Sequence, residues 1–189
     1  MLCKALLKLF GWKVSVTTPD FPQSVICVAP HTSNWDFVLC ELAIRSVNRH
    51  SGFMMKASWF RWPLGPIFRA MGGIPVKRDK HSGVVDSVVE GFRNGTIRNL
   101  AITPEGTRKA VVEWHTGFLR IAYKAQVPLQ LACLDYAGKT ITLDYVFEPT
   151  GDIDADMNAV KKFYSDRNLA GKHREYYTVN PSQSTGNES

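Results

Sequence analysis

The sequence predicts a single α/β domain, with a central, mainly parallel or mixed sheet flanked by helices and a short amphipathic helix at the N-terminus. Three observations predict it. The chain has 189 residues, 44% of them hydrophobic, which is enough to bury one core. Short β-branched runs alternate with segments of helical hydrophobic period, a pattern typical of α/β proteins. No internal repeat or linker divides the chain, so we expect one folded unit.

Residues 1–12 form the amphipathic segment. Its apolar side chains recur near the helical period, and Lys4 and Lys8 lie one turn apart. Such a helix is suited to a lipid interface, and equally to packing on the domain as an ordinary helix. The segment lacks the small-residue cleavage signature of a signal peptide. No stretch reaches the ~18 uncharged apolar residues of a membrane-spanning helix. We therefore expect neither a signal peptide nor a transmembrane span.

Residues 13–180 are predicted to be the main domain. A β-branched strand at 24–29 comes first, and a helix capped by Ser33 or Asn34 follows it. Residues 181–189 are predicted to be a disordered tail. The elements between are an aromatic stretch at 53–68, a turn and short strand at 72–78, helices at 84–92, 117–124 and 157–168 (the last capped by Asp156), and strands at 100–103, 127–134 and 140–147.

Positive charge is concentrated in one part of the chain. Residues 1–78 carry ten basic side chains against three acidic ones, whereas 79–189 carry thirteen against fourteen. This asymmetry indicates an anionic partner, either a phosphate-rich membrane surface or nucleic acid. No recognisable nucleic-acid motif is present, which favours the membrane. We expect about half of the aromatics in this part to be core and the rest to form an interfacial surface with the cations; the residues concerned are Lys8, Trp12, Phe53, Lys56, Trp59, Phe60, Arg61 and Trp62.

His31 and Asp36 are the strongest chemical signal, because they directly follow the strand predicted at 24–29 and open the next helix. On one ideal helix they would lie about 140° apart, so they meet only if His31 lies in the loop and Asp36 in the first helical turn. A carboxylate there would fix the imidazole tautomer and stabilise the imidazolium, making His31 a general base. The alternative is a surface histidine followed by a helix-opening aspartate.

A second cluster, Pro104-Glu-Gly-Thr-Arg108, also follows a predicted strand directly. Gly106 permits close backbone approach, Thr107 offers a hydroxyl, and Arg108 offers a guanidinium fork for phosphate. Glu105 lies between a proline and a glycine, where it is harder to explain as a solvated charge. An ordinary Pro-Glu-Gly turn is the alternative interpretation.

Together and in this order, these blocks resemble the lysophospholipid and glycerol-phosphate acyltransferase family, whose best-known members are the 1-acyl-glycerol-3-phosphate acyltransferases. The resemblance covers roughly residues 24–135. The four family motifs match, in chain order, His31 with Asp36 (HxxxxD), Gly73–Arg78, Pro104–Arg108 and Val127–Leu131.

The resemblance implies transfer of a fatty acyl group from acyl-CoA or acyl carrier protein to a hydroxyl of a lysophospholipid, foremost 1-acyl-glycerol-3-phosphate. It implies that His31 is the general base, that Asp36 is its partner, and that Glu105 belongs to the same catalytic set. The residues that it assigns to acceptor binding are Lys56, Arg78, Gly106, Thr107 and Arg108. No cofactor or metal is expected, because a thiolate leaves readily. The expected location is the cytoplasmic face of a membrane, peripheral or monotopic.

Two other functions fit the same scaffold: a non-catalytic lipid- or anion-binding module, and an acyl-thioester hydrolase. A serine hydrolase would need GxSxG, and a nucleotide enzyme GxxxxGK[ST] or GxGxxG; neither pattern occurs. Residues 152–156 resemble the start of a calcium loop but lack its glycine and closing glutamate. The intact His31/Asp36 pair favours the enzyme, because a binding module has no use for a base.

Overall fold

The computed structural model describes residues 2–76 and 81–179. Within these ranges the chain forms a seven-stranded mixed sheet flanked by six α-helices. The strands are β1 Lys13–Val16, β2 Ser24–Ala29, β3 Gly52–Lys56, β4 Gly73–Val76, β5 Asn99–Ile102, β6 Leu129–Asp135 and β7 Thr140–Phe147. The α-helices are α1 Leu2–Leu9, α2 Asn34–Ser46, α3 Leu64–Ala70, α4 His81–Arg93, α5 Gly117–Ala125 and α6 Ile153–Asp166, and 3₁₀ turns cover Ala57–Phe60 and Arg174–Tyr176.

The sheet has the order β1-β7-β6-β2-β5-β3-β4, with β2 at its centre. β6, β2, β5, β3 and β4 are mutually parallel, whereas β7 is antiparallel to β6 and β1 is parallel to β7. The antiparallel pair needs only a tight turn, whereas each parallel connection needs a crossover segment. Because these five strands run in the same direction, their carboxyl ends lie at the same edge of the sheet, referred to below as the carboxyl edge.

Side chains of β2 alternate between the two faces of the sheet, as the pleat requires. Val25, Cys27 and Ala29 pack with α4, α5 and α6, and Ile26 and Val28 face the side covered by α2. All six residues of β2 are buried, as expected for a central parallel strand covered on both faces. The helices thus hold the carboxyl end of β2 in a fixed position.

Helix α1 packs on the same side as α2. Its Leu7 is 2% exposed. The side chains that surround Leu7 are Ala43, Leu134 and Ile141. The predicted N-terminal helix is therefore present, and it lies on the domain through one apolar stripe.

The predicted fold class is confirmed. The strands predicted at 24–29 and 140–147 have the observed bounds of β2 and β7, and a helix follows Ser33 as expected. The strands β1 and β3 were not predicted. β1 has only four residues, two of them polar, and β3 lies in the aromatic stretch, where its Met54 and Met55 give no β-branched signal.

The last helix begins earlier than predicted, and its cap is Asp152 rather than Asp156. The Asp152 carboxylate accepts the backbone N–H of Ala155 at 3.0 Å, which satisfies one free amide of the first turn. Asp156 is buried inside that turn and accepts the N–H groups of Thr150 and Gly151. Both carboxylates bind backbone amides near the helix start, so the sequence alone did not distinguish the cap.

Two predictions fall on residues that the structure does not describe: the role of Arg78 and the tail at 181–189. In the part that it does describe, no helix is both long enough and apolar enough to cross a membrane.

Candidate active site

Three neighbouring strands, β6, β2 and β5, end together at the carboxyl edge. Their register pairs Cys27 with Ile102 on one side and Ala29 with Cys133 on the other. The loops after these strands therefore begin side by side. The polar residues that they bring to this edge are His31, Asp36, Glu105 and Tyr136.

Helix α2 begins with a capping box. The Ser33 hydroxyl accepts the backbone N–H of Trp35 at 3.2 Å, and the Asp36 carboxylate accepts the N–H of Ser33 at 2.7 Å. Of the two predicted caps, Ser33 and Asn34, the cap is Ser33. His31 lies in the preceding loop and Asp36 in the first turn, the one arrangement that lets the two side chains meet.

The Asp36 carboxylate is 2% exposed, and both of its oxygens are engaged. Oδ2 accepts the backbone N–H groups of Thr32 and Ser33, each at 2.7 Å. Oδ1 accepts the hydroxyl of Tyr136 at 2.5 Å. Charge-assisted hydrogen bonds of this kind compensate for the loss of water around a buried carboxylate. Asp36 therefore holds the backbone of the loop that carries His31 in place.

The imidazole of His31 faces this carboxylate. Its Nδ1 lies 3.2 Å from Asp36 Oδ2, and the side chain is 21% exposed. Nδ1 is buried, and at this distance it does not meet the geometry of a hydrogen bond to Asp36. Since Nδ1 is buried, the exposed edge of the ring is the one that carries Nε2. His31 is thus placed to take a proton from a molecule at the carboxyl edge.

Glu105 lies against the backbone of the same loop. It is 4% exposed, and its Oε1 accepts the backbone N–H of His31 at 2.9 Å. Its Oε2 is buried without a hydrogen-bond partner among the described residues. Burial raises the pKa of Glu105 to about 7, against the opposing effect of the His31 N–H. The carboxyl group therefore exchanges a proton near neutral pH beside the imidazole.

The rest of the predicted phosphate-binding block turns outward. Gly106 has a φ of +64°, which favours glycine, and a Cβ there would lie 2.4 Å from Cδ2 of the exposed His115 ring, which would have to move. Thr107 is half-buried, and Arg108 is exposed. Arg108 forms no ion pair with an acid of the described chain, so its guanidinium is available to an anion.

Lys56 is the last residue of β3, at the same carboxyl edge, and it is exposed. β3 is the neighbour of β5 in the sheet, so Lys56 lies one strand away from the loop that carries Glu105. Arg78 lies outside the described residues, so its position relative to this group stays a prediction.

The segment after α6 packs against the loop that carries His31. The Ala170 carbonyl accepts the N–H of Tyr136 at 2.8 Å, and the N–H of His173 donates to Thr32 Oγ1 at 3.3 Å. Gly171 lies so close to Thr32 that a Cβ would be 2.6 Å from its Cγ2. No motif pointed to this segment. Tyr136 was also missed, although its place just after the strand predicted at 127–134 was an available signal.

Among the described residues, no group of three or more His, Cys, Asp or Glu side chains is arranged to hold a metal ion.

Comparison with known proteins supports the family resemblance. A family model described as Acyltransferase matches residues 13–133, which is more than half of the chain and includes His31, Asp36 and Glu105. Comparison with curated proteins gives no significant match. The chain belongs to the Acyltransferase family, which includes the lysophospholipid and glycerol-phosphate acyltransferases.

Proposed function

We propose that this protein is an O-acyltransferase that moves a fatty acyl group from acyl-CoA or acyl carrier protein to a hydroxyl of a lysophospholipid. The proposed acceptor is 1-acyl-glycerol-3-phosphate, which gives phosphatidic acid. One observation carries the proposal: in a chain of the Acyltransferase family, His31 Nδ1 and Asp36 Oδ2 lie 3.2 Å apart at the carboxyl edge of the sheet.

In this proposal His31 is the general base. Nε2 takes the proton of the acceptor hydroxyl while the hydroxyl oxygen attacks the thioester carbonyl, and Asp36 stabilises the imidazolium that forms. The tetrahedral intermediate then collapses: the C–S bond breaks, the ester remains, and the leaving thiolate receives the proton from the imidazolium. The reaction invokes neither an acyl-enzyme nor a cofactor.

Arg108 is proposed to bind the phosphate of the acceptor. We expect Arg108→Ala to raise the acceptor KM about tenfold with a smaller effect on kcat, because one charge-assisted hydrogen bond is lost. Steady-state kinetics with varied acceptor and saturating donor measure this. Arg98→Ala is the matched control, since Arg98 is also exposed but precedes β5 at the opposite edge. A change confined to the donor KM would refute the phosphate role.

The proposed membrane-facing surface lies in residues 57–70, between β3 and β4. Four large apolar side chains are exposed there: Trp59, Trp62, Leu64 and Ile67. The exposed Arg61 and Arg69 lie among them, and no acidic residue occurs between Glu41 and Asp79. Exposed aromatics with interleaved cations favour an anionic lipid interface. This segment begins at the carboxyl end of β3, which β5 separates from β2 in the sheet.

We expect the double variant Trp62→Ser/Ile67→Ser to lower binding to vesicles of phosphatidylcholine with phosphatidylglycerol about tenfold or more, because two exposed apolar side chains no longer enter the bilayer. Co-sedimentation with the vesicles measures the bound fraction. Val47→Ser is the control, because Val47 is an exposed apolar residue at the far end of α2. Equal binding by the double variant and the control would place the membrane surface elsewhere.

Helix α1 is a second candidate contact with the membrane. Leu2, Leu9 and Phe10 are 72%, 77% and 66% exposed, next to the exposed Lys4 and Lys8. The helix therefore packs on the domain and still presents apolar and basic side chains to an interface.

The reaction is tested by thiol release from acyl-CoA in detergent or liposomes, with and without 1-acyl-glycerol-3-phosphate. Acceptor-dependent release is the expected result. Release that does not depend on the acceptor would instead identify a thioesterase. No release with acyl-CoA, acyl carrier protein or any lysophospholipid acceptor would leave the non-catalytic binding module.

A further inference from the structure

Tyr136 lies at the carboxyl end of β6, the strand next to β2, and its hydroxyl donates to Asp36 Oδ1 at 2.5 Å. We propose that Tyr136 is a positioning residue for the His31–Asp36 pair, acting through the Asp36 carboxylate. The inference rests on the proposed function for its kinetic consequences, whereas the geometric linkage can be tested without substrate.

The two carboxylate oxygens of Asp36 have different hydrogen-bond partners. Oδ2 accepts two backbone amides of the loop and faces His31, whereas Oδ1 has one partner, the Tyr136 hydroxyl. Without that bond the carboxylate has more freedom to rotate about its Cβ–Cγ bond, which would move Oδ2 away from the imidazole. Tyr136 also draws negative charge toward Oδ1. It therefore sets both the orientation and the charge that His31 meets.

Two further contacts hold Tyr136 in place. Its backbone N–H donates to the Ala170 carbonyl at 2.8 Å, and its ring meets that of Trp12 edge-on with centroids 5.1 Å apart. Burial and the hydrogen bond to Asp36 raise the pKa of the Tyr136 phenol far above its usual range. The hydroxyl thus stays protonated and remains a donor at any physiological pH.

Other titratable groups also face this chain of contacts. Glu105 interacts electrostatically with His31 and Asp36 from the loop after β5. Cys40, on the next turn of α2, lies near Asp36 and Tyr136, and burial raises its thiol pKa to about 12, so it stays neutral. Glu105 is the group that titrates in the same pH range as a histidine, and its own titration must be followed in the same experiment.

The kinetic test is Tyr136→Phe, which removes only the hydroxyl. We expect kcat to fall about tenfold, as for a lost hydrogen bond to a charged group, while the KM values for donor and acceptor change little. We also expect the acidic limb of the pH–rate profile to move, since both the position of Oδ2 and the charge on Asp36 that the imidazolium meets depend on the Tyr136 hydroxyl. Tyr145→Phe is the control, because Tyr145 is a partly exposed tyrosine on β7. Unchanged kcat and an unchanged profile in Tyr136→Phe would overturn the proposal.

A second test needs no activity. The imidazole NMR signal of His31, assigned by its loss in His31→Gln, is titrated in the wild type, Tyr136→Phe and Tyr145→Phe, with Glu105→Gln to separate the Glu105 titration. A midpoint that differs by a few tenths of a pH unit between Tyr136→Phe and the wild type, with no difference for Tyr145→Phe, is expected. An identical midpoint in the wild type and Tyr136→Phe would refute the linkage. Because this readout is independent of the substrate, a failed transfer assay with a shifted midpoint would refute the proposed reaction and leave the role of Tyr136 intact.

Discussion

Replacing His31 by alanine is expected to reduce acceptor-dependent thiol release by about 10³-fold or more while the fold stays intact. The loss follows from removal of the imidazole whose Nδ1 faces Asp36 and whose other edge is exposed at the carboxyl edge. Because the side chain is 21% exposed, its truncation leaves little unfilled space in the core. The measurement is single-turnover thiol release with saturating donor and acceptor.

The matched control for this variant is His50→Ala. His50 is exposed, and its backbone carbonyl accepts from the Asn99 side chain at the opposite end of β5, so truncation of its imidazole changes no contact of the site. Full activity in a His31→Ala protein with an unchanged near-UV circular dichroism spectrum would eliminate the general-base mechanism.

The second large effect is expected for Asp36→Asn, with a loss of about a thousandfold in kcat. The amide oxygen of asparagine can still accept the N–H groups of Thr32 and Ser33, and its NH₂ group can donate to a rotated Tyr136 hydroxyl. The loop geometry is therefore kept, and the negative charge beside His31 is lost. Without that charge the imidazolium formed in the reaction is no longer stabilised.

The control for Asp36→Asn is the same nearly isosteric substitution at an exposed aspartate far from His31 in the sequence. Asp154→Asn removes an exposed carboxylate from the first turn of α6, and we expect it to leave kcat within about twofold of the wild type. If Asp36→Asn kept wild-type kcat while its folding transition was unchanged, the carboxylate would be structural only.

The sequence indicated the site residues that are close together in the chain, but not the residue that joins them from far along the chain. His31 and Asp36 are five positions apart, and one strand-to-helix junction determines how they meet, so helix geometry gave the one arrangement in which they could approach each other. Tyr136 is 100 residues from Asp36, and its contact depends on β6 lying beside β2 in a particular register. Hydrophobic periodicity does not determine which parallel strands are neighbours.

Burial was also predictable only in part. Of the aromatics expected to divide between core and surface, Phe53 and Phe60 are buried, whereas Trp59 and Trp62 are exposed. Prolines interrupt this segment, so no regular period indicates which side chains face inward. The position of Glu105 between a proline and a glycine argued against a solvated charge, but no periodicity predicted that its side chain is buried.

The order of strands in the sheet has a consequence for the newly made chain. Two residues that contact the loop after β2 are synthesised much later than the loop itself. Glu105 follows His31 by 74 residues, and Tyr136 follows Asp36 by 100 residues. At typical synthesis rates of about 5–20 residues per second, the His31 loop remains without Tyr136 for roughly 5–20 s. Two of the side chains that cover Leu7 of α1, those of Leu134 and Ile141, are synthesised equally late, whereas Ala43 precedes them. During that interval the apolar side of α1 is only partly covered, so the membrane contact proposed for this helix is able to precede completion of the domain on which it finally packs.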